Sequence, residues 1–566
     1  MEGKIMNVKH DFVECLFSAL NGQIKRKQIL KMIEKPKFEQ LGDLAFPCFE
    51  LAKIYRKSPN QIALEIAEKI DLPLFEKVEV ASGYVNVFLN MRDVSSKIVK
   101  KVLLEKEQYG NLDLGKNEVI TIDFSSPNIA KPFSMGHLRS TVIGHSLALI
   151  AEKYGYTPVR INHLGDWGTQ FGKLMVAYKQ WGDEEKVKEN PIKELLTLYV
   201  KFHEEAEENH DLNDKGRAWF KKLEDEDEEA LHLWKWFRDE SLKEFSKIYQ
   251  LLGIRFDSYH GESFYNDKMD RVVQLLEEQN LLEESEGAMV VQFETEELPP
   301  CLIKKKDGTT LYATRDLAAA RYRKETYNFA QSLYVVGHEQ SLHFKQLFTV
   351  LQKMGYSWHE GMVHVPFGMI LKDGKKMSTR KGKVVLLEEV LEEAIQLARV
   401  GILKKNPNLN AKEEVAHQVG IGAIIFHDLN NFRLHDIEFS LQDMLRFEGE
   451  TGPYVQYSHA RAASLLRKGD FQEGQERIIE DKEAWPIITA LMSFPDVVKR
   501  SYEGYDPSQV AKFLIELSKA FNKYYGSVRI LDDPEQKQAR LTLVYSVKMV
   551  LKEGLRLLGM GAPDEM

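Results

Sequence analysis

The most regular pattern of apolar and polar positions begins at Val119. Val119–Phe124 (VITIDF) is a short β-branched run closed by the turn-forming Ser125-Ser126-Pro127-Asn128. From Gly136, apolar positions recur at helical spacing to about Tyr154, and Gly155 ends the pattern. A second strand-like run follows at Pro158–His163. Strand, glycine-containing loop, helix and strand predict a βαβ unit, and hence a parallel sheet. The rhythm returns with strand patterns at Leu333–Gly337 and His364–Leu371, on either side of a helical pattern at Gln340–Met354. Upstream, a helical pattern at Pro59–Ile70 leads into a strand-like segment, VEVASGYVNVFLN (78–90), and Gln108–Leu112 reads as a linker. After about Leu386 the pattern is helical nearly to the end, with Pro507 and Pro534 marking turns. The expected architecture is therefore a small α/β domain (1–110), an α/β Rossmann-like domain with a parallel sheet (111–390) and an all-α domain (391–566). A largely helical insertion is expected at about 181–300.

Charge sharpens this division. The 566 residues carry a formal net charge of −9. Residues 1–110 count +3, 111–180 count +2, 181–300 count −17 and 301–566 count +3. Charge runs usually mark solvated faces, so the middle segment reads first as an exposed helical insertion. Alternatively, it is the lobe turned away from a polyanionic ligand that the mildly basic remainder grips. No run of 18 apolar residues is present, so no membrane partner is expected. The start, MEGKIMNVKHDFVECLF, lacks a signal-peptide core. Three scattered cysteines and no C-x-x-C pair argue for a reducing, cytoplasmic setting and against structural zinc.

Two segments carry candidate chemistry. Asp123–Thr141 (DFSSPNIAKPFSMGHLRST) lies where a parallel sheet binds ligands, between a strand and its helix. A helix start there offers free N–H groups to phosphate. Gly136 lets a flat base approach the backbone, His137 can donate to a phosphate oxygen, and Lys131 adds a point charge. His137 could equally be a helix cap. The second segment, Gly374–Lys383 (GKKMSTRKGK), combines five cations, two hydroxyls and glycine hinges. It is either a solvated basic turn or a phosphate clamp.

Together these segments resemble the two signatures of class I aminoacyl-tRNA synthetases, and the resemblance narrows to the arginyl-tRNA synthetase family. SSPNIAKP (125–132), GHLRST (136–141), INHLGDWGTQFG (161–172), LYATRDLAAA (311–320), VVGHEQSLHFKQLF (335–348) and EGETGPYVQYSHARA (448–462) are similar to that family's pattern. GDLAFPCFELAK (42–53) and GYVNVFL (83–89) resemble its N-terminal domain. Two positions depart from the class signatures. Ser134 stands where the first signature has its first His, and Thr379-Arg380 follow Lys376-Met377-Ser378 in the second. In such enzymes a lysine just before the first signature is thought to compensate, and Lys131 stands there.

The resemblance implies ATP with Mg²⁺ as substrate, no permanent cofactor, tRNA(Arg) and L-arginine as partners, and a monomer. It implies catalytic roles for Lys131, His137, Lys376 and Ser378, and ATP contacts from Ser134, Gly136, His137, Lys376, Met377 and Ser378. Arginine contacts map onto Asp123, Asn128, Tyr312, Asp316 and Gln340. A guanidinium is planar and always charged, so selecting it needs carboxylate and amide oxygens. In a helix, Tyr312 and Asp316 share a face. Asp316 is the expected guanidinium partner, unless it caps a Leu317–Tyr322 helix; Asp123 could likewise be a turn cap. Candidate tRNA contacts are Phe46, Tyr84 and Asn86 in the N-terminal domain, and Tyr457 and Tyr525 in the helical one, where core packing is the alternative. The resemblance further implies that bound tRNA is needed before arginine is activated. A cysteine-activating relative would need a paired-cysteine zinc site, which the sequence lacks. A non-catalytic tRNA-binding role stays open.

Overall fold

The computed structural model describes residues 8–129, 131, 133–294, 298–306, 312–377, 379–380, 383–474 and 478–566. They pack as two compact units. One comprises Met1–Lys106, Leu465–Met492 and Lys523–Ser546; the other comprises Glu107–Ser464, Ser493–Asn522 and Val547–Met566. The helical C-terminal third thus divides between them.

In the first unit, β1 (Leu44–Pro47), β2 (Phe75–Ala81) and β3 (Tyr84–Leu89) form an antiparallel sheet in the order β1-β3-β2. The single strand-like stretch expected at 78–90 is therefore a hairpin. Ser82 and Gly83, at φ 49° and 83°, supply the tight turn that reverses it. The helix α1 (Pro59–Ala67) starts where Ser58 accepts the Gln61 amide, and it buries Ile62 and Ile66 beside the sheet.

The second unit is built on four parallel strands, β4 (Val119–Asp123), β5 (Thr157–Ile161), β9 (Gln331–Tyr334) and β10 (Met362–His364), in the order β10-β9-β4-β5. The central β4 buries Ile120 to Asp123, as a strand covered on both faces must. After β4 comes a short 3₁₀ turn, Met135–His137, and then α2 (Leu138–Tyr154). Gly155 ends α2 at φ 106°, a left-handed cap that a Cβ would strain. Gly144 lets α2 lie on the strand end: a Cβ there would stand 2.2 Å from Phe124.

The chain between the two βαβ halves is largely helical and includes α3 (Glu228–Leu252). It closes with an antiparallel sheet not expected from the sequence, β6 (Glu283–Ser285), β7 (Ala288–Val291) and β8 (Cys301–Lys304). Then come α4 (Tyr312–Tyr327) and, after β9, α5 (Ser341–Lys353). Leu317, Ala320, Phe344 and Leu347 of these two helices share a core with Cys301 and Ile303 of β8.

The strand expected at His364–Leu371 is broken. Met362–His364 ends in the parallel sheet, and β11 (Ile370–Lys372) pairs instead with β12 (Lys375–Lys376) and with Ile437–Glu438. Pro366 has no amide to donate to a ladder. Gly368 passes so close to Asp436 and His435 that a Cβ would meet them at 2.7 Å. The region after Leu386 is helical, from Leu387–Lys405 to Lys537–Leu557, with Ile437–Glu438 as a two-residue strand. Among the described residues no helix is long and apolar enough to cross a membrane.

Candidate active site

The chain leaves β4 through a strained turn. Ser125 and Ser126 adopt φ values of 70° and 47°, unusual for residues with a side chain. The turn is held from three sides. The Ser125 amide donates to Ser140 Oγ at 2.9 Å, Thr141 Oγ1 donates to Ser125 Oγ at 2.9 Å, and Ser126 Oγ donates to Asp123 Oδ1 at 2.9 Å. Asn128 then lies exposed against Gly165, where any Cβ would stand 2.1 Å from Asn128 Oδ1. The Ile129 amide donates to Gly165 O at 3.1 Å, which fastens the signature loop to the NHLGDWG segment.

Ser134 and His137 form a capping pair at the helix start. The Ser134 amide donates to His137 Nδ1 at 3.1 Å. That bond uses the Nδ1 lone pair, so the neutral ring carries its proton on Nε2. Burial, aided by the Lys131 charge, lowers the His137 pKa below its ordinary value of 6.5. At neutral pH the ring is therefore an uncharged N–H donor. Ser134 thus acts here through the histidine it orients. Lys131 is exposed beside this turn.

The second basic segment forms a hairpin with Asp373 and Gly374 at its tip, at φ 53° and 71°. Glu438 accepts both tip amides, which ties the loop down. The Met377 amide donates to Ile370 O at 2.9 Å; Met377 is buried, and Lys375 and Lys376 are exposed. Ser378 lies outside the described residues.

A cavity of about 190 Å³ joins the two signatures. Met135 and Gly136 line one side, Lys376 and Met377 another, with Gln340 and Phe367 between them. Glycines and apolar side chains with exposed Lys376 at the rim suit a flat heterocycle carrying an anionic tail.

A second cluster is built around α4. This helix begins at Tyr312, so Asp316 lies within it and is not the cap of a shorter helix. Tyr312, one turn earlier, is 64% exposed. Asp316 Oδ2 accepts the Nε2 proton of His343, on α5, at 2.6 Å, and His163 Nε2 stands 3.9 Å from Oδ1. Burial alone would raise the Asp316 pKa, but the His343 hydrogen bond and nearby positive charge hold it below the usual carboxylate value. Gln340 precedes α5 by one residue and His343 follows by one turn, so one helix start serves both the cavity and the carboxylate.

Asp123 is engaged elsewhere. Its Oδ2 lies 2.7 Å from Arg323 Nη2, two turns along α4 from Asp316. Arg323 is 1% exposed. Burial lowers the Arg323 pKa, but Asp123, Tyr334 and Tyr265 more than reverse that and raise it well above its ordinary value. Asp123 therefore faces an internal guanidinium. Neither Arg323 nor His343 stood out in the sequence. Their signal lay in spacing: Arg323 is seven residues after Asp316, and His343 three after Gln340.

The proposed nucleic-acid contacts divide. Phe46 is 0% exposed within the N-terminal core, so its ring has no face to offer a base. Asn86 is buried at 4%. Both side chains are interior: across β1 and β3, Phe46 pairs with Val85 and Asn86 with Ala45. Tyr84 is half-buried, edge-on to Phe49 at 5.2 Å. Tyr457 is half-buried under Arg461, whose guanidinium lies 4.8 Å from the ring centre, with Lys405 at 5.5 Å. Tyr525 is 43% exposed. Among the described residues no group of three His, Cys, Asp or Glu could hold a metal.

Three family models match the chain: "tRNA synthetases class I (R), catalytic domain" over residues 98–441, "DALR anticodon binding domain" over 455–566, and "Arginyl tRNA synthetase N terminal domain" over 7–89. The chain is 59% identical over 562 residues to an arginine–tRNA ligase of Bacillus anthracis, covering 99% of this chain and 100% of that one. It is 61% identical over 561 residues to one of Exiguobacterium sp., with the same coverage. Its fold matches the Thermus thermophilus arginyl-tRNA synthetase with a TM-score of 0.81 at 25% identity, covering 99% of this chain and 100% of the other.

Proposed function

The chain belongs to the arginyl-tRNA synthetase family of class I aminoacyl-tRNA synthetases, and from that membership we propose how its residues divide the reaction. The enzyme joins L-arginine to tRNA(Arg) at the expense of ATP. The observation behind this division of labour is a cavity lined by both signatures.

ATP lies in that cavity, its base against Gly136 and Met377 and its phosphates toward Lys376, Ser378, His137 and Lys131. Mg²⁺ enters with ATP, carried on the phosphates. Arginine places its guanidinium at Asp316, beneath Tyr312, and Gln340 and Asn128 receive its other polar groups. An arginine carboxylate oxygen attacks the α-phosphorus, the bond to pyrophosphate breaks, and arginyl-adenylate forms. The neutral His137 donates its Nε2 proton as a hydrogen bond to a phosphate oxygen, and the lysines stabilise the charge that develops. Next, a ribose hydroxyl at the tRNA 3′ end attacks the acyl carbon, and AMP leaves. Positioning and electrostatics carry the rate, with no covalent enzyme intermediate. Asp123 serves the site indirectly, by neutralising Arg323.

The N-terminal segment 1–110 takes the tRNA elbow through Tyr84, and the helical segment 391–566 takes the anticodon through Tyr457 and Tyr525. Segment 111–390, with its acidic insertion at 181–300, carries the chemistry. The enzyme acts as a monomer in the cytoplasm, and bound tRNA is required for activation.

The test is amino-acid-dependent ATP–pyrophosphate exchange, with and without tRNA(Arg). Exchange with arginine in the presence of tRNA supports the reading. Exchange with cysteine or glutamate but not arginine would overturn it, and no exchange at all would favour a non-catalytic tRNA-binding role. In the same assay, Lys131→Ala should lower kcat by about 10²-fold with little change in the arginine KM, because its partner is transition-state phosphate. A change confined to KM would place Lys131 in the amino-acid pocket instead.

A further inference from the structure

A carboxylate reserved for a substrate guanidinium should stand open, yet one oxygen of Asp316 is occupied. His343 Nε2 reaches Oδ2 at 2.6 Å, and the two side chains are 29% and 26% exposed. The pair is therefore reachable from solvent and is not sealed in the core. Bidentate capture of a guanidinium needs both carboxylate oxygens. An arriving arginine would thus meet a second cation on the same acceptor. Two cations crowded at one partly desolvated carboxylate repel, and the guanidinium cannot give up its proton. Imidazolium can.

Resting on the assignment of Asp316 to the substrate guanidinium, we propose that His343 is a proton-linked placeholder for that cation. In the empty pocket the His343 imidazolium neutralises Asp316. When arginine binds, the imidazolium loses one proton to solvent and becomes neutral imidazole, while the guanidinium keeps its charge. The net charge at Asp316 is then the same before and after binding. His343 is a positioning and specificity-determining residue in this scheme. A neutral side chain of arginine's shape brings no cation to compensate the lost proton, so it competes poorly with His343.

The electrostatics around the pair agree. Burial alone would lower the His343 pKa, but its bond to Asp316 raises it above the ordinary 6.5. Facing the pair are His163 after β5, His364 in β10, Cys301 in β8, Tyr334 in β9, Arg323 on α4 and Glu262 of the 3₁₀ turn Glu262–Lys268. Burial lowers His163 and His364, so they are already neutral near pH 7. Burial pushes Cys301 up to about 12 and raises Tyr334, so both stay protonated. Among these groups Glu262, raised by burial to about 7, also titrates near neutral pH. Its ion partner is Arg315, at 3.8 Å, and the Asp316 carboxylate repels it.

The experiment is calorimetric titration of the full chain with L-arginine, in buffers of different ionisation enthalpy, from about pH 6 to about pH 9. The buffer dependence counts protons directly. The expected result is a release approaching one proton at the acid end, fading as pH rises through the raised His343 pKa. Protonated His343 competes with arginine, so affinity should rise with pH over that window, by at most about tenfold per unit, and then level off. His343→Gln should abolish the release and flatten the pH profile, while Glu262→Gln should keep both. A wild-type titration without proton release, or a release that survives His343→Gln, would overturn the placeholder. Asp316→Asn separates the role of Asp316 from that of His343. Undiminished arginine binding in that variant would overturn the underlying assignment, whatever the proton count. Lost binding with no wild-type proton release would overturn the placeholder alone.

Discussion

Replacing Asp316 with alanine should lower kcat/KM for arginine by at least about two orders of magnitude, with little effect on folding. The side chain is 29% exposed and sits inside a regular helix, where alanine is tolerated well. What disappears is the negative charge that meets the guanidinium. Truncating one partner of a desolvated, hydrogen-bonded charge pair costs about 3 kcal/mol, which is about 10²-fold in kcat/KM. The KM for ATP should hardly change, because Asp316 lines no part of the cavity joining the signatures. Steady-state exchange kinetics with arginine and ATP varied separately check both statements. Unchanged arginine kinetics would remove Asp316 from its role.

Replacing Asp123 with alanine should act mainly on stability. Asp123 and Arg323 are 6% and 1% exposed, and the variant would leave Arg323 without its carboxylate. A buried charge deprived of its partner costs about 3–5 kcal/mol. The denaturant midpoint should fall accordingly. A double variant, Asp123→Ala with Arg323→Met, should recover much of the loss, because it removes the stranded charge and keeps apolar volume. Had Asp123 held the substrate directly, the single variant would instead fold normally and lose only arginine affinity. Measuring the midpoint beside the arginine KM distinguishes the two.

These two carboxylates show what the sequence could carry. Asp316 was legible because LYATRDLAAA resembles the family pattern, and helical spacing sets it one turn from Tyr312. The partner of Asp123 was not. It comes from a helix some 200 residues along the chain, brought alongside β4 by the parallel pairing of β4 with β9. Sequence periodicity reports the face a residue occupies but not the long-range neighbour across it. His343 was hidden for the same reason. The parallel strands were readable from β-branched runs, yet β10 and β11 read as one strand, since Pro366 and Gly368 are short interruptions in an otherwise apolar run. Likewise Phe46 and Asn86 stood out by type, but both are buried, on opposite faces of the sheet, since Phe46 pairs with Val85 and Asn86 with Ala45. That the two signatures act together was implied by the family resemblance, whereas the tie from Glu438 to the second loop depends on a residue 64 positions away.

The ester the enzyme makes reports its amino acid and its tRNA at once. The full chain would be incubated with ATP, Mg²⁺, total tRNA and all twenty amino acids, and the aminoacylated 3′-terminal adenosines released by nuclease and identified by mass spectrometry. Arginyl-adenosine alone is expected, derived from tRNA(Arg) and absent when ATP is withheld. Lysyl-adenosine or any other ester in comparable yield, or no ester in the presence of competent tRNA(Arg), would contradict that expectation.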